Sequence, residues 1–599
     1  MRLSSALLAG ILAVGSVTLP AANAFAAPAD AKATTQATAA RVALHALFKA
    51  EWDYAMTQDP LWASVLGDYR FNGKWRDLSA GTRKARAHHY QDALKRLRAI
   101  DRRQLDAADQ LNYDLYEREL ALMVEYHALG GEKMPISHRD GIHAAHDIAD
   151  FIRFETVKDY EDWIARMRAF PGYMDQTLAL MSEGKASGLM PSKAIMSRIP
   201  SQLASQMPKS PEESPFYKPF TKMPSSISAA DQKRLREQAA AVIRDQVIPA
   251  YKKFEGVFTR DYLPASTETV GLGHLPGGKE LYAYYARYYT TSDMPPSRIH
   301  QLGLSEVKRI RGEMEAIMAE VGFKGTLAEF FAHMKAQKQY FRPDADALLM
   351  EYRALSRRID PLLPKLFKNL PRAPYAIEPI PADLAPNSSA AYYMGPSPDG
   401  TRPGTFYVNL YKSEERPTYE MLPLLLHETV PGHHLQIALA MELDALPEFR
   451  RYGGYTAYIE GWGLYSESLG EDLGLYADPY VRFGKLNMEM RRALRLVLDT
   501  GLHHEGWDRK KAIAFFLENA AKTELEATNE VDRYLGNPGQ ALSYKVGELS
   551  LKDLRARAQA KLGKKFDLRE FHHQILSQGA LPLDILSKRM VEWMEKASR

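Results

Sequence analysis

The stretch His427-Glu428-Thr429-Val430-Pro431-Gly432-His433-His434, with Glu460-Gly461-Trp462-Gly463-Leu464-Tyr465-Ser466-Glu467 soon after it, decides how this chain is read. Two histidines four apart on a helix share one face and can hold Zn²⁺, while a Glu beside the first activates a water. Here Pro431 occupies the place of the second histidine. At roughly 100° per residue, His433 would sit about 120° off the face of His427. His434 would return to that face roughly 10 Å further along the axis. Imidazoles bind zinc at about 2.0–2.1 Å, so neither can join His427 on an unbroken helix. Pro431, however, has no amide to give the carbonyl of His427, and Gly432 adopts dihedrals that other residues avoid. Pro-Gly therefore predicts a bulge, a distortion frequent at functional sites. If it absorbs two residues, His433 takes the second-ligand place and His434 remains the alternative. The bland reading is a helix ending at a Pro-Gly turn with surface histidines.

A catalytic zinc usually has three protein ligands and an open position. Glu460 and Glu467 are seven apart on one face of an otherwise apolar and aromatic predicted helix, where a carboxylate is costly unless paired or metal-bound. Glu460 is the expected third ligand, and Glu467 the expected support for a ligand.

The segments HETVPGHHLQ (427–436), YIEGWGLYSE (458–467), RLVLDTGLHHEGW (495–507) and EVDRYLGNPGQALSYKVG (530–547) resemble the bacterial family catalogued as domain of unknown function number 885. The likeness begins near FKAEWDYAMTQDPLWASVLGDYR (48–70) and runs to the end of the chain. It implies a zinc metallopeptidase-like protein, more distantly similar to the thimet-oligopeptidase-like and angiotensin-converting-enzyme-like peptidases. Those carry a Gly-His pair at the second ligand and a ligand Glu some two dozen residues later. Aligned on that pair, Gly432-His433 matches, with Glu460 following His433 and a two-residue insertion as the departure. The resemblance thus favours His433 over His434 by a route independent of helix geometry.

The 599 residues, 45% hydrophobic and 25% charged, suffice for a large core. A net charge of +4 is too small to argue for nucleic acid or a membrane surface as partner. Residues 1–27 read as a secretory signal: Arg2, an apolar run from Ala6 to Leu19, then small residues suited to cleavage. That run is short for a bilayer, and stable membrane insertion of the mature chain is not expected. The chain contains no cysteine, so it offers no thiolate ligand or nucleophile, no disulfide and no cysteine for a lipid anchor. The expected location is periplasmic or secreted.

Helical periodicity dominates, near 39–57, 80–100, 104–127, 158–184, 229–259, 295–321, 326–337, 343–359, 418–430, 433–443, 455–471, 479–504, 508–521, 541–560 and 567–576. Residues 28–38 read as a flexible leader remnant and 39–599 as one helical metallopeptidase-like domain, with halves 39–370 and 371–599. Short strands are expected near 373–378, 390–394 and 405–409. The fold class is mainly α: two helical halves around a cleft, with a small β-hairpin or sheet beside the metal helix. Alternating aromatic and small residues from Ala390 to Asn409, with a Pro398-Asp399-Gly400 turn, form the hairpin. In the zinc peptidases that this chain resembles, an edge strand there aligns the substrate backbone. That makes Tyr393 and Arg402 substrate-binding candidates, the latter as a planar partner for a carboxylate.

The resemblance also implies an oxyanion-stabilising tyrosine late in the chain, for which Tyr544 is the candidate, with Gln540 and Lys545 beside it as substrate contacts. Asp499 and His503 either orient a ligand histidine or form a surface pair. The run Gly273-His274-Leu275-Pro276-Gly277-Gly278-Lys279 mimics a phosphate loop, but Glu280 stands where Ser or Thr must be. The expectation is an exported hydrolase with one zinc per chain, cleaving peptide bonds with Glu428 as general base. The rivals are a peptide-binding protein that keeps the zinc scaffold without turnover, and a zinc amidase acting on another substrate.

Overall fold

The structure is a computed structural model, and it describes residues 28–382, 385, 388–396 and 402–599, with side chains from residue 36. The signal-like segment 1–27 and the Pro398-Asp399-Gly400 turn lie outside the described residues. The architecture is mainly helical with one small three-stranded mixed sheet. Cα packing separates two compact units, one running to Ser266 and taking in Pro447–Phe449, the other made of Thr267–Leu446 and Arg450–Arg599. Among the described residues no helix is long and apolar enough to cross a membrane.

In the first unit, α1 (Pro28–Gln58), α2 (Ala80–Arg98) and α3 (Ala107–Leu129) bury Leu44, Leu47, Phe48, Ala93, Leu97, Tyr113 and Leu120 together. Their starts follow from capping: the Ser79 side chain accepts from Thr82 N, and that of Asp106 from Asp109 N. Helix α1 is described from Pro28, so it takes in residues 28–38. Phe449 packs its ring 4.9 Å from those of both Phe48 and Tyr116.

The second unit holds α4 (Gly278–Thr290), α5 (Pro296–Glu320), α6 (Met421–Glu428), α7 (His433–Met441), α8 (Thr456–Asp472), α9 (Pro479–His503), α10 (Glu524–Gly536) and α11 (Leu542–Leu562). Its strands are β1 (Tyr375–Pro379), β2 (Ala391–Met394) and β3 (Gly404–Val408), ordered β1-β3-β2. β1 runs parallel to β3, while β2 and β3 form the expected hairpin, pairing Tyr393 with Phe406. Helix α6 is apolar nearly all round and is buried from Met421 to Glu428 apart from Leu424, as such a helix must be. Helices α8 and α11 cross in close contact, because a Cβ on Gly461 would lie 2.5 Å from the Cα of Gly547. That approach seats the start of α11 against the helix carrying Glu460 and Glu467.

Helices α4, α10 and Leu583–Ser598 have no counterpart in the periodicity reading. In α4, Leu281, Tyr284, Tyr285, Tyr288 and Tyr289 recur at helical spacing, a stripe that the periodicity reading passed over. The segment read as 158–184 is two helices, Val157–Arg168 and Phe170–Ala186, parted just before Pro171. The phosphate-loop mimic is a packing device: a Cβ on Gly278 would lie 1.8 Å from Leu272 O.

Candidate metal centre

The Pro-Gly pair does not bulge one helix; it separates two. Helix α6 ends at Glu428, Thr429 leaves helical geometry at φ −106° and ψ −118°, and α7 starts at His433. A Cβ on Gly432 would fall 1.9 Å from His427 O and 2.4 Å from Leu426 O, so only glycine lets the chain fold back this closely. The His434 amide then donates to Thr429 O at 3.1 Å. Pro431 O accepts from Trp462 Nε1 at 2.8 Å and from Ser466 Oγ at 3.3 Å, tying the link to α8. The expected displacement of His433 is therefore achieved by a full break, because Gly432 caps a new helix.

The break brings His433 to His427, with ring centroids 4.6 Å apart. Glu460 Oε2 lies 3.6 Å from His427 Nε2 and 3.5 Å from His433 Nε2, and the three ligand atoms lie within 4.8 Å of one another. Atoms coordinating one zinc tetrahedrally at about 2.0–2.1 Å stand roughly 3.3–3.4 Å apart. The triad His427, His433 and Glu460 could thus bind a metal ion, and its donors are of the type zinc accepts.

The surroundings favour positive charge there. His427 Nδ1 donates to Glu467 Oε1 at 2.9 Å, which leaves Nε2 directed at the shared position. Glu467 Oε1 also accepts from Arg492 Nη2 at 3.2 Å. Burial alone would lower the pKa of His427, but the carboxylates of Glu460 and Glu467 outweigh it and raise it to about 9. Burial likewise opposes ionisation of Glu460, yet His427 and His433 hold it well below the usual carboxylate range. Gly463 makes room for the imidazole, since a Cβ there would meet His427 Cε1 at 2.7 Å.

Glu428, the proposed base, is buried next in sequence to His427, and its charge acts on that ring. Tyr544 on α11 feels the charge of Glu460, and its hydroxyl pairs with Gln540. The guanidinium of Arg495 lies 4.3 Å above the Tyr544 ring.

Other expected residues go elsewhere. His434 turns to the sheet: Nε2 donates to Ala373 O at 3.0 Å and Nδ1 accepts from Tyr393 Oη at 2.8 Å. Burial lowers the pKa of this ring to about 4. Tyr393 is thereby engaged with His434, and the charge of Arg402 acts on Tyr393. Lys545 is not brought to the triad. Its fully buried ammonium contacts Glu489 at 2.6 Å, Glu548 at 2.7 Å and Glu306 at 3.1 Å. Asp499 and His503 neither orient a ligand nor lie on the surface. Asp499 accepts from Tyr282 Oη at 2.6 Å and Gly539 N at 3.0 Å, while His503 bridges Leu272 N and Tyr534 O. Sequence reasoning missed Arg492 and Arg495. The available signal was Arg491-Arg492-Ala493-Leu494-Arg495 inside the apolar α9, where guanidiniums need buried partners.

Residues 60–590 match the family described as "Bacterial protein of unknown function (DUF885)". Two solved structures are similar over nearly their whole length. One is described as a "putative lipoprotein" from Colwellia psychrerythraea, 28% identical, with a TM-score of 0.84, covering 94% of this chain and 99% of that one. The other, a "putative lipoprotein of unknown function" from Shewanella oneidensis, is 18% identical with a TM-score of 0.71, covers 91% of this chain and 99% of that one, and shares the fold. No curated protein matches.

Proposed function

This chain belongs to that family of bacterial proteins of unknown function, and from that premise we propose that it is an exported zinc-dependent hydrolase acting on peptides. The observation carrying the proposal is the His427–His433–Glu460 triad with Glu428 buried directly beside it. A site serving structure alone needs no such extra carboxylate. His427, His433 and Glu460 hold the zinc, and Glu467 orients His427. When bound, zinc supplies Lewis acidity, polarising a carbonyl and lowering the pKa of water. Glu428 accepts the proton of the attacking water and delivers it to the leaving amine. Tyr544 donates to the oxygen that gains charge. The edge strand β2 aligns the peptide backbone. The more distant likeness to thimet-oligopeptidase-like and angiotensin-converting-enzyme-like peptidases agrees with this order of ligands. The signal-like start and relatives described as lipoproteins support export, although the chain has no cysteine to carry a lipid.

The test pairs metal analysis with mass spectrometry of a mixed peptide library. The protein should hold about one zinc per chain and cleave a subset of the library. Glu428→Gln should keep zinc and fold but lose turnover by roughly two to four orders of magnitude. Unchanged turnover in that variant would remove Glu428 from the mechanism, and no cleavage by the wild type would leave a binding protein instead.

A further inference from the structure

The basic residues beside Tyr544 are unequally paired. On α9, Arg492 has Glu467 at 3.2 Å and Arg491 has Glu420 at 3.7 Å, a separate carboxylate for each, although the Nε of each is also without a hydrogen-bond partner. Arg495 on α9 and Arg533 on α10 share one carboxylate oxygen, Glu530 Oε2, at 3.5 and 3.6 Å, both beyond ordinary hydrogen-bond length. That oxygen already accepts from Tyr534 Oη at 2.8 Å. Arg533 Nη1 donates to Gln540 Oε1 at 3.0 Å, but its Nε and Nη2 have no hydrogen-bond partner, nor has Arg495 Nε. The contrast with Lys545, enclosed by three carboxylates one residue beyond Tyr544, is direct. Two planar cations with one shared acid leave an excess positive charge and spare donors.

Their position gives that excess a use. Arg495 stacks on the Tyr544 ring, and Arg533 reaches Gln540, whose side chain pairs with Tyr544. Each of the two arginine side chains remains 15% exposed, while the unpartnered nitrogens are themselves buried. A guanidinium binds a carboxylate through two parallel hydrogen bonds, which a neutral amide cannot match.

We propose that Arg495 and Arg533 receive a carboxylate of the substrate on the Tyr544 side of the metal triad. The site then selects peptides carrying a free carboxylate there, from the chain terminus or from an acidic side chain. This rests on the hydrolase reading for the identity of the ligand as a peptide.

The test uses zinc-loaded Glu428→Gln protein and calorimetry with three probes: N-acetyl-trialanine, its C-terminal amide, and the amide of N-acetyl-Ala-Glu-Ala. At least one carboxylate probe should bind about tenfold tighter than the neutral amide, the equivalent of one good charge-assisted pair. Which one does so identifies the terminal or the side-chain source. Zinc itself attracts carboxylates, so the arginine variants decide. Adding Arg495→Gln or Arg533→Gln should cut the preference below about threefold, with zinc content and neutral-amide binding unchanged. Arg533→Lys, which keeps the charge and the bulk, should lose part of it. Equal binding of all three probes, or a preference that survives both glutamine variants, overturns the proposal. Wild-type turnover keeps the two readings apart. Selective binding without any cleavage refutes the hydrolase and leaves the carboxylate site standing. Equal kcat/KM for acid and amide peptides refutes the carboxylate site and leaves the hydrolase.

Discussion

Glu467 Oε1 stands 2.9 Å from His427 Nδ1, two helical turns along α8 from Glu460, whose Oε2 stands 3.6 Å from the opposite nitrogen of the same ring. One helix therefore supplies both a prospective ligand and the group that sets the tautomer of another. The ring is clamped edge to edge between two carboxylates, with Gly463 lying flat beneath it.

Removing the charge of that clamp tests its purpose. Glu467→Gln keeps the shape but weakens the polarisation of His427, so zinc affinity should fall by about 10- to 100-fold. His427→Ala and Glu460→Ala should retain no metal after dialysis. Competition with a chromophoric chelator measures all three. If Glu467→Gln binds zinc as tightly as wild type, the carboxylate is there for packing.

The two adjacent histidines should separate cleanly. His433→Ala should lose the metal, because its Nε2 is 3.5 Å from Glu460 Oε2. His434→Ala should keep the metal yet destabilise the fold by about 1–3 kcal/mol, since Tyr393 Oη and Ala373 O lose a buried partner. Urea unfolding and metal analysis of both variants suffice, and the reverse pattern would reassign the ligand.

Gly463→Ala adds one methyl group against His427 Cε1, 2.7 Å away. The ring must shift, so zinc affinity should drop and stability should fall by about 1–3 kcal/mol. The control is Gly474→Ala, where a Cβ would have open space but φ is +71°, so it carries only backbone strain and no effect on zinc. Equal zinc affinity in Gly463→Ala and wild type would show that the ring has room to spare.

Acid should unfold this protein through its buried histidines. Burial lowers His143, His503 and His572 to about 4 in the folded state, against about 6.5 when unfolded. A depressed pKa contributes stability that is complete above the unfolded value and lost as pH falls through the folded one. Stability to urea should therefore decline between pH 6.5 and 4, and His503→Gln should flatten part of that decline. A urea midpoint independent of pH across this window would contradict the burial argument.

Much of this was legible because it is local. Helices such as α2, α9 and α11 announce themselves through apolar spacing, and Pro431-Gly432 predicts an interruption from backbone chemistry alone. The sequence left open how that interruption is built. A bulge and a break both satisfy a missing amide, and only the approach of Gly432 to His427 O, with α8 bonding to Pro431 O, selects the break. Helix α4 was missed although Leu281, Tyr284, Tyr285, Tyr288 and Tyr289 carry its helical spacing in the sequence.

The residue types of the site, two histidines and two glutamates in a fixed order with Pro-Gly between them, were determined by the sequence itself, because ligand chemistry belongs to the side chain. Which histidine faces Glu460 and which is captured by Tyr393 was decided only in three dimensions, by the position of the hairpin relative to α7. The same holds for Lys545 and Arg495. Lys545 read as a cation beside a candidate tyrosine and Arg495 was not singled out, yet the first is enclosed by carboxylates from α5, α9 and α11 while the second lies over the ring. Burial and charge balance depend on what distant segments bring alongside, and no local pattern encodes that.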